Sequence, residues 1–293
     1  MIDGSGVRVI LTPYDAGHRG IRMGSGPEHL LDNRLEEELR SNGREVKTVM
    51  VRPDGIPPFE VAVAFELDRL VSEEVRQAAE VGEFPLVLSG NCNTAVGTIS
   101  GAGAEGLGVV WFDAHADFET PETTTTGFTD NMGLAITVGH CWNAMAASVP
   151  GFQPMPEANV LLVGTRDASQ AERARLEGSE ITVVGGALVR RKGLSETLGF
   201  ALDTLRARVE RIYVHLDLDV LDPGAVGPAN EFAVPGGLVR EDLEQAITMI
   251  RERFDVAAAG IASYDPTFDD EGEVLRAGLV GAKTLTAPCS PSR

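Results

Sequence analysis

Two short acidic stretches hold the residues whose types and spacing can do chemistry. In "WFDAHADFETPETTTTG", Asp113, His115 and Asp117 stand at i, i+2 and i+4; in "VHLDLDVLDP", Asp217 and Asp219 repeat the i, i+2 relation, and Asp222 opens a turn before Pro223. A strand sends alternate side chains to one face, so each set is expected to converge on one space. A single aspartate at a strand end is an ordinary turn residue. Four carboxylates and an imidazole at two buried strand ends are a different matter, because buried charges must be paired or must coordinate a metal. Oxygen-rich ligands with one imidazole suit a hard divalent ion such as Mn²⁺ better than copper or structural zinc. Five ligands exceed what one ion takes from protein while leaving room for water. Two ions sharing carboxylates are therefore expected, with a bridging water as the nucleophile of a hydrolysis.

These residues must be positioned by the elements around them. Apolar β-rich runs recur at 7–15, 44–51, 84–90, 107–115, 159–167, 180–186, 211–220 and 256–265. Helical patterns lie between most of them: "PEHLLDNRLEEELRSNG" spaces Leu30, Leu31, Leu35 and Leu39 at helical intervals and closes with Gly43. Strands apolar on both faces and alternating with helices predict an α/β fold, a three-layer α/β/α sandwich around a central parallel sheet of about eight strands. With no linker or internal repeat, residues 1–280 are expected to form a single catalytic domain and 281–293 a flexible tail carrying Cys289. Ligands in such sheets collect beyond the C-terminal strand ends, where both acidic stretches fall.

Composition removes other classes. The net charge of -19 with no basic patch argues against nucleic acid or an anionic membrane as partner. The first apolar run is too short to span a bilayer and has no basic leader, so a cytoplasmic location is expected. Three widely spaced cysteines, Cys92, Cys141 and Cys289, do not make a disulfide framework. Cys92, in "SGNCNTAVGT" at a strand-to-helix junction, is open to three readings: metal ligand, reactive thiol or small apolar residue. His140 and Cys141 are adjacent, which points their side chains apart, and they are read as structural. His18 and Arg19, on a glycine-rich loop, are expected at the solvent, and His29 on a helix surface. His215 precedes Asp217 by two and is expected to support the acidic cluster from behind.

The chain resembles the ureohydrolases, the family of arginase, agmatinase, guanidinobutyrase and formimidoylglutamase. "DAHADFETPETTTTG" is similar to the family's DAHxD motif and its following loop, "HLDLDVLDP" to its (S/H)xDxDxxDP motif, and "VPGGL" at 234–238 to the glycine turn that follows. The resemblance implies that Asp113, His115, Asp117, Asp217 and Asp219 hold two Mn²⁺ ions, with Asp113 and Asp217 bridging, Asp117 completing the first site and His115 and Asp219 the second. It also implies hydrolysis of a C–N bond in a small guanidino or amidino substrate, an α/β/α fold, and a homo-oligomer, trimeric or hexameric.

The departures from the family fall on particular residues. Cys92 stands where the family has its sixth ligand, a histidine, which weakens the first site for Mn²⁺ or leaves one ion only. Asp130 aligns with a proton-shuttle histidine and is expected to take over acid–base work or to hold a cationic substrate; Asp117 and Asp130 are the expected catalytic residues. Glu119, Thr126, Phe128 and Glu172 fall at substrate-reading positions, and Ser263 replaces the glutamate that holds the guanidinium. Plain arginine is therefore not the expected substrate. Two alternatives stand beside this reading. One is a catalytically degenerate relative kept for assembly or binding. The other is a zinc-dependent deacetylase of the same architecture, which needs a neighbouring histidine pair this sequence lacks.

Overall fold

All eight β-rich runs become strands of one parallel sheet. In a computed structural model that describes residues 6–288, the strands are β1 (Gly6–Thr12), β2 (Glu45–Met50), β3 (Phe84–Ser89), β4 (Leu107–Phe112), β5 (Val160–Val163), β6 (Thr182–Val184), β7 (Arg211–Asp217) and β8 (Asp255–Ala262). Their order across the sheet is β2-β1-β3-β8-β7-β4-β5-β6, with every pairing parallel. β7 and β8 enter last and fill the centre. Four adjacent strands, β3, β8, β7 and β4, thereby bring their C-terminal ends to one edge.

Alternation along the strands builds the two interlayer cores. Val110 and Phe112 of β4 pack with the helices α1 (Gly26–Asp32), α2 (Leu35–Ser41), α6 (Leu194–Arg206), α7 (Arg240–Arg251) and α8 (Glu273–Thr286) on one face. Val109 and Trp111 point to the other face, toward Phe65 of α3 (Glu60–Glu80) and Val96 and Ile99 of α4 (Ala95–Ala102). The remaining helix that bears on the site, α5 (Gln170–Glu177), follows β5.

Two expectations are corrected here. The pattern over residues 27–43 forms two helices, α1 and α2, because Arg34 takes a left-handed φ of 74° and breaks the ladder between them. The expected domain boundary at 280 falls inside α8, which runs to Thr286 with Gly281, Ala282 and Leu285 buried against the sheet. Cys289 lies outside the described residues.

Candidate metal centre

The acidic residues converge, although not by strand alternation. β4 ends at Phe112, and Asp113 starts a turn in which its Oδ1 accepts the backbone N–H of His115 at 2.7 Å. Asp217 closes β7 and does the same for Asp219 N–H, at 2.7 Å, so Asp219 sits on a 3-10 turn. An aspartate that bonds its own downstream backbone curls the chain at once, and this replaces the extended geometry expected of both stretches. Asp117 then takes a left-handed φ of 48°, held by Leu134 and Ala135 N–H donating to its carbonyl, both at 3.1 Å.

The result is two overlapping groups of ligand-type atoms, each group lying within 4.8 Å: Cys92, Asp113 and Asp217 in one, Asp113, His115 and Asp219 in the other. Asp113 belongs to both. Trp111 Nε1 donates to Asp113 Oδ2 at 3.0 Å, His115 Nδ1 lies 3.2 Å from Asp219 Oδ2, and Cys92 Sγ donates to Asp217 Oδ2 at 3.0 Å. Ser263 Oγ stands 3.2 Å from the same sulfur. Asp117 Oδ2 is buried with no hydrogen-bond partner.

Electrostatics follow from that crowding. Burial first, then Asp219, raises Asp113; burial, then Asp219 and Asp113, drives Asp217 well up; burial, then Asp113, Asp130 and Asp217, does the same to Asp117. Cys92 is pushed up by burial and by Asp217. Burial opposes the charge of His115, but Asp219 and Asp113 outweigh it and lift the imidazole well above its ordinary value. In return, and against its own burial, His115 holds Asp219 down at about 2. A divalent cation is the group that reverses such shifts.

The centre opens on a cleft of about 660 Å³ lined by His115, Asp117, Asp217, Asp219 and Ser263 together with Glu60, Glu119, Thr126, Phe128, Asp130, Asp167 and Glu172. Every substrate-reading position expected from the sequence therefore reaches the cleft, as does the expected acid–base residue Asp130, but Glu172 and Asp130 play other parts. Both Glu172 oxygens are engaged, accepting Phe118 N–H at 3.1 Å and Ser169 N–H at 2.8 Å, so this side chain caps α5 and fixes the loop after Asp117. Asp130 is likewise engaged: it accepts Cys92 N–H through Oδ1 and Asn91 Nδ2 at 3.1 Å through Oδ2, while burial and then Asp15 push its pKa up to about 8. It shapes the segment that carries Cys92 more directly than it offers a mobile proton.

His215 stacks on Trp111 with ring centroids 3.9 Å apart and meets Tyr213 Oη at 3.0 Å through Nδ1. Its support of the cluster thus passes through the tryptophan that holds Asp113. His18 and Arg19 lie exposed on a short hairpin, as expected, while His29 is half-buried against Tyr264. His140 pairs with Glu157 at 2.8 Å and with Arg175, consistent with a structural role.

Sequence reasoning missed Asp15, Arg22, Arg166 and Asn230. Arg22 pairs with Asp15 at 2.8 Å and with Glu231 at 3.5 Å, and its guanidinium lies 5.8 Å from the Phe128 ring at the cleft mouth. Asn230 donates to Asp219 Oδ2 at 3.4 Å and to Ser263 O at 2.7 Å. Arg166 donates to the carbonyls of Asp219, Leu221 and Val234 at 2.8, 3.0 and 2.8 Å and so clamps the turn that bears Asp219. Asp15 and Arg166 each fall at the C-terminal end of a β-rich run, just beyond the strand it forms, which is the signal that could have found them. Of the six non-glycine residues with positive φ among those described, Ala16, Arg22, Asp117 and Ser263 line the cleft. Backbone strain gathers where function is built.

The Arginase family profile matches residues 5–286. The chain belongs to the arginase family. It is 31% identical to the arginase of Bacillus caldovelox over 230 residues, covering 75% of this chain and 76% of that protein. The crystal structure of arginase from Bacillus subtilis superposes with a TM-score of 0.88 at 26% identity, covering 96% of this chain and 98% of the other. Formimidoylglutamase from Bacillus subtilis shares the fold, with a TM-score of 0.72 at 19% identity over 98% and 88% of the two chains.

The residues of this arginase-family chain fit a pair of divalent ions on two observations: a carboxylate common to both ligand groups, and a buried Asp117 oxygen that nothing in the protein satisfies.

Proposed function

We propose that the protein is a hydrolase that cleaves a C–N bond of a small guanidino or amidino compound other than arginine, with two divalent ions at the cleft. The observation that carries this reading is the pair of ligand groups sharing Asp113 and opening on a cleft of about 660 Å³. Asp113, His115, Asp117, Asp217 and Asp219 would hold the ions, with Cys92 beside them; Mn²⁺ suits the oxygen-rich set. Bound there, such ions activate a water and stabilise the charge that develops at the central carbon. Asp117 lines the cleft and would offer the ions the carboxylate oxygen that no hydrogen bond engages. Ser263 lacks the charge to hold a guanidinium, and that task passes to the other carboxylates that line the cleft, Glu60, Glu119 and Asp167.

The cleft is also lined by Glu60, Glu119 and Asp167, and by Arg22, an arginine already paired with Asp15 and Glu231. That wall favours a cationic or neutral tail and disfavours a carboxylate, with Phe128 and Thr126 at its side. The test is release of urea, ammonia or formamide from Mn²⁺-loaded protein across guanidino and formimino compounds with cationic, neutral and anionic tails. Turnover is expected for cationic or neutral tails. No turnover of any of them, with no metal retained, would make the chain a degenerate family member kept for binding or assembly. Stoichiometric zinc with amide deacetylation would mark the deacetylase alternative. A homo-oligomer, trimeric or hexameric, is proposed on the family resemblance and is checked by native mass.

A further inference from the structure

The two ligand groups differ in chemistry. One offers only carboxylate oxygens and the His115 imidazole; the other offers two carboxylates and the Cys92 sulfur. Thiolates select soft or borderline ions, whereas carboxylates and imidazole accept hard ones such as Mn²⁺. The sulfur is also built into place. Cys92 is 1% exposed, and its backbone N–H is fixed by Asp130. Cys92 is part of the apolar cluster around Trp111 and Val96, yet its Sγ also touches Asp217 Oδ2 at 3.0 Å and Ser263 Oγ at 3.2 Å, so the sulfur sits at the polar edge of that core. A second observation points to a ligand: Asp117, 6% exposed, keeps Oδ2 buried without a hydrogen-bond partner.

Resting on the binuclear reading above, we propose that the protein is built for an unlike pair of ions. The Asp113–His115–Asp219 centre takes Mn²⁺, and the Cys92–Asp113–Asp217 centre takes a softer divalent ion of the zinc, cobalt or ferrous kind through the Cys92 thiolate. On binding, the thiol proton leaves to solvent and the sulfur bonds the ion, with no change in oxidation state.

Cobalt gives a readout that does not depend on activity, because a cobalt–thiolate bond produces a sulfur-to-metal charge-transfer band in the near ultraviolet. The experiment titrates Co²⁺ into Mn²⁺-saturated protein while following that band and the displaced Mn²⁺. The first equivalent of Co²⁺ is expected to displace one Mn²⁺ and to raise the band together with it. Cys92→Ser should lose the band and lower the Co²⁺-over-Mn²⁺ preference at this centre by about tenfold or more. Cys92→His restores a ligand of the harder kind and should retain Mn²⁺ better without a band. Two bound Mn²⁺ displaced with no band, or a band that survives Cys92→Ser, overturns the unlike pair and leaves the hydrolase reading standing. Protein that binds no ion of any kind overturns both.

Discussion

Asp113 is shared by the two candidate centres, while Cys92 and Asp217 serve one and His115 and Asp219 the other. Its loss should therefore act differently from theirs. Asp113→Asn is expected to remove both ions and to lower turnover by at least about 10³-fold, whereas His115→Ala should spare the Cys92 centre. Elemental analysis of the two variants checks this: equal retention of metal would mean the centres do not share the carboxylate. Asp113, His115, Asp217 and Asp219 were legible because, with Asp117, they make five ligand-type residues at spacing two. Asp15, Arg22 and Asn230 were not, since each acts through a partner distant in sequence: Asp15 meets Asn91, and Asn230 meets Ser263.

The turn that bears Asp219 depends on neighbours that carry no metal-ligating atom. Arg166 donates to three of its surrounding carbonyls, and Gly237 packs so closely that an added Cβ would lie 2.2 Å from Val220 O. Arg166→Met should strand those carbonyls and cost about 2–4 kcal/mol, with lower metal occupancy at the His115 centre. Urea denaturation and metal content measure the two effects, and a stable variant with full occupancy would remove the clamp from the account. The adjacent strands β4 and β7 carry a pH-dependent element. Trp111 and His215 are register partners, and burial holds His215 at about 3 against an ordinary 6.5. Between those values the unfolded chain binds a proton that the folded chain refuses. Stability from this group is thus complete above pH 6.5 and falls by about 1.4 kcal/mol per unit as the pH drops toward 3. His215→Phe keeps the stacking and should flatten that part of the curve in urea midpoints taken from pH 6.5 to 5. An unchanged slope would assign the acid sensitivity elsewhere.

At the scale of the whole molecule, folding collects carboxylates that oppose one another. The chain carries a net charge of -19, and its most crowded anions are buried at one edge of the sheet. Ions that bind only the folded state stabilise it by mass action. Chelator-treated protein is expected to melt lower, and 1 mM Mn²⁺ to raise Tm by about 5 °C or more. Mg²⁺, the harder and more reluctantly dehydrated ion, should do less. Equal melting with and without Mn²⁺ would show that the cluster is satisfied without an ion. Among the described residues, no helix is long and apolar enough to cross a membrane.

The sequence by itself determined the layered α/β class, the eight strands, the members of the acidic cluster and the family. The strands are written in local periodicity and the family in two short motifs, and residues two or four apart cannot separate far in space. It did not determine how the ligands converge. The expected strand faces became turns, since an aspartate bonding its own downstream amide outweighs continued extension. Nor could it show that α8 runs to Thr286, because the tail's composition is bland and its apolar side is satisfied only by the sheet. Only the tertiary structure decided that β7 and β8 enter the middle of the sheet. That placement sets Cys92, from the end of β3, against Asp217, from the end of β7, 125 residues away in the chain. A contact of that separation depends on strand order, which no local pattern encodes.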